Sequence, residues 1–473
     1  MAHAARSGLL LLLVPLLGCA TAPAPEAAAP VAGEILGPLA ADVRSDRAWL
    51  WARAPGPGEV AFALTSPQAR ALGTAVARAG ADHTVALQAT ALAPDTAYAY
   101  EVRQGESVVG GRFRTAPSPA SPAPVRVAFG GDLAGQNVCR DATRGFPIFE
   151  AVADRRPHLF LGLGDMIYAD GVCEPRGLYG NAQVPGGFDA SGGLADVRAH
   201  WRYARRDPAL ARLLASAAYA AVWDDHEVVN DFDSSEPRLP DGLRAFREYN
   251  PVDAGGRDAR LHRSLRWGRH LELFLLDTRQ YRDANTRPDS QRKTLLGPAQ
   301  LDWLIGGLRG SDATWKVVVS SVPLAVPTGA DDTRRDGWAG YEGGTGFEAE
   351  LRTLLDALGP SRLGSLVWIT TDVHFAQVLR YRPLADRPEV RMHEAIVGPL
   401  QAGLFPRREL DPSLRPEVLF FHGPESASAV GGFDEALRWF NFGELEVDAG
   451  GALTLRVLGV RGEVLFEHAL PAP

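Results

Sequence analysis

The stretch Trp223-Asp224-Asp225-His226-Glu227-Val228 directly follows the apolar run Ala218-Tyr219-Ala220-Ala221-Val222. A short apolar run of this kind reads as a buried strand. Three carboxylates and an imidazole at its end would be costly to bury without compensation. A metal ion is the simplest positive partner. The pattern then recurs along the chain. Val125-Arg126-Val127-Ala128-Phe129 leads into Gly130-Gly131-Asp132, and His158-Leu159-Phe160-Leu161-Gly162-Leu163 into Gly164-Asp165. Leu271-Glu272-Leu273-Phe274-Leu275-Leu276 leads into Asp277, and Leu366-Val367-Trp368-Ile369 into Thr370-Thr371-Asp372. A sixth run, Trp315 to Val319, ends in Ser320-Ser321 instead.

Helical spacing separates these runs. Leu301, Leu304, Ile305 and Leu308 recur at i, i+3, i+4, i+7 before Gly310, and Leu351, Leu354, Leu355 and Leu358 do the same before Gly359-Pro360. Strands alternating with helices predict an α/β layer fold, in which ligands gather beyond the carboxyl ends of the strands. The aspartates stand where that rule puts a site. Beyond His393 the alternation weakens. Phe442 to Val447 and Leu453 to Leu458 read as closing strands around a Gly450-Gly451 turn, suggesting a second sheet packed on the first.

Residues 33–115 read as all-β. Trp49, Trp51 and Arg53 alternate with Leu50 and Ala52, and a turn at Pro94-Asp95 precedes the period-two run Ala97-Tyr98-Ala99-Tyr100. The stretch is similar to small immunoglobulin-like and fibronectin type III sandwiches. Residues 116–124 carry four prolines and read as an extended linker. Residues 125–473 would form the catalytic domain. At the start, residues 1–19 combine Arg6, the apolar run Leu9 to Leu17 and Leu16-Leu17-Gly18-Cys19. The run is too short for a permanent membrane span. It looks like a bacterial lipoprotein signal in which Cys19 is lipidated, a plain secretory signal being the simpler alternative. Residues 20–32, rich in Ala and Pro, would be a tether. The chain would then be exported and held to the periplasmic or cell-surface face of a membrane. Outside the reducing cytosol, Cys139 and Cys173 are expected to pair as a disulfide, with a thiolate metal ligand as the alternative.

The chain of 473 residues carries a formal net charge of −8. Nucleic-acid binding normally shows as a basic surface, so none is expected here.

Asp132, Asp165, Asp225, Asp372 and His374 form the expected metal set. Carboxylate and imidazole donors suit hard or borderline ions such as Fe, Ca, Mn or Zn. Two such ions roughly 3.5–4 Å apart would share a bridging carboxylate and lower the pKa of a water between them. A single strand-end Asp is more often a helix cap; several together are not explained that way. Asp372 and His374, two apart, would point to one side of a continuing strand. His226 reads either as a ligand or as the acid that protonates a leaving oxygen. Arg279, in Asp277-Thr278-Arg279-Gln280-Tyr281-Arg282, suits bidentate phosphate binding at the mouth of the site. Arg282 reads equally well as a surface ion pair, and Tyr168 as a phenolate ligand or a packed ring.

Gly164-Asp165-Met166-Ile167-Tyr168, Trp223-Asp224-Asp225-His226-Glu227, the Asp277–Arg282 segment and Thr371-Asp372-Val373-His374 together resemble the alkaline phosphatase D family, a branch of the calcineurin-like metallophosphoesterases. The resemblance implies a four-layer αββα domain with a two-metal phosphoester hydrolase site. It makes Asp165 the bridging ligand and sets Asp225 where the wider superfamily has an asparagine. It puts Asp372 and His374 on that superfamily's His-x-His and Tyr168 on a tyrosine ligand to iron. The sequence departs from the pattern in three places, one being Thr370-Thr371 before Asp372, where a glycine is common. Asp132 stands where characterised members carry an iron-ligating cysteine, and Ser320-Ser321 follow the strand that elsewhere ends in a lone histidine.

The expected activity is therefore metal-dependent hydrolysis of phosphate mono- or diesters. A phosphodiesterase, phospholipase or nucleotidase on the same site is one alternative. A non-catalytic, metal-stabilised surface binding lipoprotein is the other.

Overall fold

The computed structural model describes Met1 and residues 33–190, 192–252, 260–340 and 344–473. Residues 2–32, with the lipobox and Cys19, lie outside the described residues. Ala32–Pro473 forms one compact unit.

The apolar runs become strands almost as expected: Val125–Gly130, Leu159–Gly162, Ala218–Ala221, Leu271–Leu275, Trp315–Val319 and Leu366–Thr370. They divide between two sheets. Val125–Gly130, Leu159–Gly162 and Ala218–Ala221 run parallel at the centre of a nine-stranded sheet. Leu271–Leu275, Trp315–Val319 and Leu366–Thr370 run parallel in a seven-stranded one.

Period-two alternation stacks the layers. Val127, Leu161 and Ala220 of the first sheet share one core with Leu273, Val317 and Ile369 of the second. The residues between them point outward. Ala128, Phe160 and Tyr219 pack against Phe149, Trp201, Leu213 and Phe246, which belong to the helices Ile148–Asp154, Leu194–Arg205, Pro208–Leu214 and Leu239–Tyr249. Phe274, Val318 and Trp368 pack against Leu304, Leu308, Leu351 and Leu355 of Pro298–Gly310 and Glu348–Leu358. The main body is thus a mixed α/β fold: two sheets face each other and helices cover both outer faces. Both predicted amphipathic helices form; Leu304, Leu308, Leu351, Leu354, Leu355 and Leu358 are buried and Leu301 and Ile305 partly so, because a stripe of that spacing has no other way to leave water.

Three expectations need correcting. First, the N-terminal all-β segment is not detached: its two sheets share one core, in which Leu50 and Val85 join Phe62 and Tyr100, and one of them is continuous with the main body. Leu36–Ala41, Ala48–Arg53 and Thr84–Ala89 extend the nine-stranded sheet, Leu36–Ala41 pairing parallel with Ala218–Ala221. Gly58–Ser66, Arg70–Ala77, Ala97–Gln104 and Ser107–Arg114 form a separate four-stranded sheet. Second, the Pro-rich segment, without helix or strand as a linker would be, also docks on the body: Pro117 O and Ser121 O accept from Gly268 N and Arg269 N at 3.2 and 2.7 Å. Third, Asn441–Val447 and Leu453–Gly459 do not found a second sheet. Asn441–Val447 pairs antiparallel with Val125–Gly130 and so completes the first. Alternation predicts a strand but carries no address for its partner.

Candidate metal centre

The carboxyl ends of the central strands of both sheets meet at one place. Asp132, Asp165, Asp372 and His374 each follow such a strand, and all four have left-handed backbones, with φ of 59°, 51°, 80° and 59°. Non-glycine residues seldom adopt this conformation, and it gathers where the surrounding structure imposes it for function. Here the turn swings each side chain off the sheet end into a common space. Gly164 permits the approach: its φ is +111°, and a Cβ there would lie 2.7 Å from Asp224 Cβ.

The ligand-type atoms fall into overlapping triplets, each within 4.8 Å: Asp132, Asp165 and His374; Asp165, Asp225 and His226; Asp224, Asp225 and Asp372. Asp165 and Asp225 are the shared members. The five residues of the expected set come together with His226, and Asp224 is added; Asp225 also belongs to a fourth such group, with Asp231 and Asp336. Asp372 and His374 do not point alike. The strand ends at Thr370, the chain bends, and the two side chains join different triplets.

Backbone and side-chain donors hold these groups. Thr371 Oγ1 donates to Asp132 Oδ2 at 2.8 Å, and Asp372 N donates to Asp132 Oδ1 at 3.2 Å. Glu227 is not in the space itself. It accepts from Asp165 N, Met166 N and Asp224 N at 3.1, 2.9 and 2.9 Å, pinning the two aspartate-bearing turns together. Tyr168 Oη meets His374 Nε2 at 2.9 Å, and its ring stacks on His226 at 4.1 Å. Tyr168 is therefore both beside the ligands and packed. His374 is oriented from behind: Nδ1 donates to Gly403 O and the ring stacks on Phe405. His226 Nδ1 is bonded to Asp170 at 2.8 Å, and Asp170 also accepts from Asn230 N.

The electrostatics call for cations. Burial pushes Asp132 up to about 7 against the hydrogen bonds it receives, and Glu227 to about 8. Burial raises Asp224 to about 6, with Arg279 countering it. Asp165 and Asp372 are driven well above the usual carboxylate range by burial and then by neighbouring carboxylates. Asp224 Oδ2 and Asp372 Oδ2 are buried without a hydrogen-bond partner. Burial lowers His374 to about 3, so its ring is neutral, as a ligand requires. Burial would lower His226 too, but Asp225 and Asp170 outweigh it and raise the imidazole to about 9. Unpartnered buried oxygens and mutually repelling acids are what divalent or trivalent ions would relieve. The donor set fits such ions.

Arg279 corrects the sequence reading. It is not at a mouth. It is fully buried, Nε donating to Asp224 Oδ1 at 2.6 Å and both Nη groups forking onto Asp336 at 2.8 and 2.7 Å. Arg282 is equally buried, on Asp336 and on Thr278 O, and is no surface ion pair. Burial alone would raise Asp336, but the two guanidinium groups hold it well below the usual carboxylate range. The thiolate alternative also closes, because Cys139 and Cys173 are joined in a disulfide.

Asp336, Asp170 and Glu227 escaped assignment from sequence. Glu227 sat inside the quoted motif and could have been found there. Asp170 and Asp336 lie in segments without periodic structure, where no local pattern marks them.

The chain is similar to known proteins in sequence and in fold. The PhoD-like phosphatase family model matches residues 131–453. Alkaline phosphatase D of Bacillus subtilis (strain 168) is 27% identical over 334 residues, 64% of this chain and 55% of that protein. The match thus spans only about half the length of that relative. Among solved structures, one described as the structure of PhoD superposes with a TM-score of 0.72 at 22% identity, covering 92% of this chain and 88% of its own. Purple acid phosphatase PPD1 from yellow lupin seeds superposes with a TM-score of 0.61 at 13% identity, covering 93% and 74%. With family-specific sequence running from Gly131 through every acid of the centre, this chain belongs to the PhoD-like phosphatase family.

Proposed function

We propose that the chain is a metal-dependent phosphoric ester hydrolase acting on phosphate mono- or diesters, with the αββα plan of the resembling family and two ions held around Asp165 and Asp225. The observation that carries the reading is the overlap of the ligand triplets at those two carboxylates. Asp132, Asp165 and His374, with the Tyr168 hydroxyl alongside, would hold one ion; Asp225, Asp224 and Asp372 would hold the other. Bound there, the ions would supply charge neutralisation at the phosphoryl oxygens and an acidified water as nucleophile. The protein does the rest. His226, oriented by its hydrogen bond to Asp170, would give its proton to the leaving oxygen. Arg279 fixes Asp224 against Asp336 and so holds one ligand wall in place.

With Arg279 and Arg282 committed, the phosphoryl-facing cation in this reading is Arg408. It is half-buried on the loop that carries Gly403 and Phe405, both on His374. Its one hydrogen bond among the described residues, Nη1 to Pro327 O at 2.9 Å, ties it beside Thr328, whose carbonyl accepts from Asp336 N. It therefore reaches across from the His374 side of the centre to the Asp336 side with donors to spare. Export and lipid anchoring through Cys19 complete the proposal. The disulfide agrees with an oxidising compartment. A Cys19→Ser variant that still fractionated with membranes would remove the anchor.

The test of the activity is turnover of mono- and bis-p-nitrophenyl phosphate beside metal content, in wild type and Asp165→Ala. The variant should lose metal and turnover together. Undiminished turnover in Asp165→Ala, or none by fully loaded wild type on either ester, would overturn the reading.

A further inference from the structure

A cleft of about 470 Å³ opens where the Ser107–Arg114 strand meets the turns that precede the Leu159–Gly162 and Ala218–Ala221 strands. Arg112, Arg114, Arg156 and His158 line it beside Ser216. The acidic centre follows the carboxyl ends of those same two strands, so the cleft lies at their opposite ends. No acidic residue lines it.

The nearby carboxylates are already taken. Arg155 forks onto Glu444 at 2.8 and 2.6 Å, Arg126 donates to Glu446 at 2.8 Å, and Arg456 bridges both acids. Among the described residues the Asp95 carboxylate accepts only from Arg114 Nε, at 2.7 Å, which leaves the Nη groups of Arg114 available. The Arg112 and Arg156 side chains have no hydrogen-bond or ion-pair partner among the described residues. His158 Nδ1 accepts from Arg126 N at 2.9 Å, so the neutral ring carries its proton on Nε2, as a donor. Burial lowers His158, and the charges of Arg114 and Arg126 lower it further, against a smaller opposing pull from Asp95 and Glu446. Cations and N–H donors thus converge on one cleft whose lining holds no carboxylate, Asp95 at its edge being engaged by one N–H of Arg114, in a chain of net charge −8.

We propose that this cleft is a second binding site, for a phosphate-class oxyanion, either inorganic phosphate or a terminal phosphomonoester. Guanidinium forks match a tetrahedral oxyanion two N–H groups at a time, and two or three of them converging select multiply charged ions over chloride. The volume falls in the range of small-ligand sites, roughly 300–1,000 Å³. The site neither needs nor touches the metal ligands, so it stands or falls separately from the hydrolase reading.

The test is titration of the metal-loaded full-length chain with inorganic phosphate, following the His158 imidazole resonances by NMR at constant ionic strength with chloride. Phosphate should shift His158 saturably and chloride should not. Arg112→Gln/Arg156→Gln should weaken that response about tenfold or more, with an unchanged thermal midpoint and unchanged turnover. Arg112→Lys/Arg156→Lys should recover part of it. An equal response to chloride, no response to phosphate, or full phosphate affinity in the Gln variant would each overturn the proposal. A site that binds phosphate in a protein without turnover would sink the hydrolase reading alone.

Discussion

Asp336 decides how the centre is braced. Two buried guanidinium groups depend on it, and Asn285 Nδ2 donates to the same oxygen at 2.8 Å. Removing one partner of a buried ion pair typically costs about 3–5 kcal/mol, because the other charge is left uncompensated. Asp336→Asn should therefore lower the denaturation midpoint clearly while keeping a similar shape; a midpoint equal to wild type would show that Arg279 and Arg282 find other partners. Gly164 supplies a different kind of constraint. Its φ of +111° and the 2.7 Å approach to Asp224 Cβ leave no room for a methyl group. Gly164→Ala should cost metal binding more than folding, read as metal content against thermal midpoint. At this scale the sequence was legible where an acid ends an apolar run, as with Asp132, Asp165, Asp225 and Asp372. It was misleading for Arg279, since a linear pattern cannot say that an aspartate 57 residues away will occupy both of its Nη groups.

The elements that reach the centre from outside the sheets were the least readable. The strands and amphipathic helices announce themselves by period. The segment from Gly403 to Arg408 has none, yet Gly403 O orients His374, Phe405 stacks on it at 4.6 Å and Leu404 N donates to Tyr179 Oη. Arg408 rides on that loop. Arg408→Ala is expected to lower kcat/KM about ten- to a hundredfold while metal content stays at the wild-type level, and Arg408→Lys should return part of the loss. If Arg408→Ala keeps full kcat/KM, the phosphoryl group is met by something else. The late strands teach a related lesson. Asn441–Val447 and Leu453–Gly459 were legible as strands, but the place of Asn441–Val447 beside Val125–Gly130 rests on a pairing across more than 300 residues that local alternation does not encode.

For the whole molecule, the centre sets a pH dependence that bound ions should abolish. Asp132, Asp224 and Glu227 have folded-state values of about 7, 6 and 8, above their unfolded values near 4. Between those limits the folded, metal-free chain holds more protons than the unfolded one. Its stability must then fall as pH rises from about 4 to 8. Cations that take the place of those protons also bind the native state preferentially and so stabilise it. Chelator-treated protein should therefore lose several degrees of thermal midpoint between pH 5 and pH 8, whereas metal-loaded protein should lose much less. Equal slopes for the two forms would mean that the acids are neutralised some other way.

The most direct measurement is anomalous diffraction from crystals of the metal-loaded chain. Two peaks are expected, one among Asp132, Asp165 and His374 and the other among Asp225, Asp224 and Asp372, with the Asp165 carboxylate reaching the first and turned toward the second. A crystal of active enzyme with no anomalous density between these side chains would contradict the account.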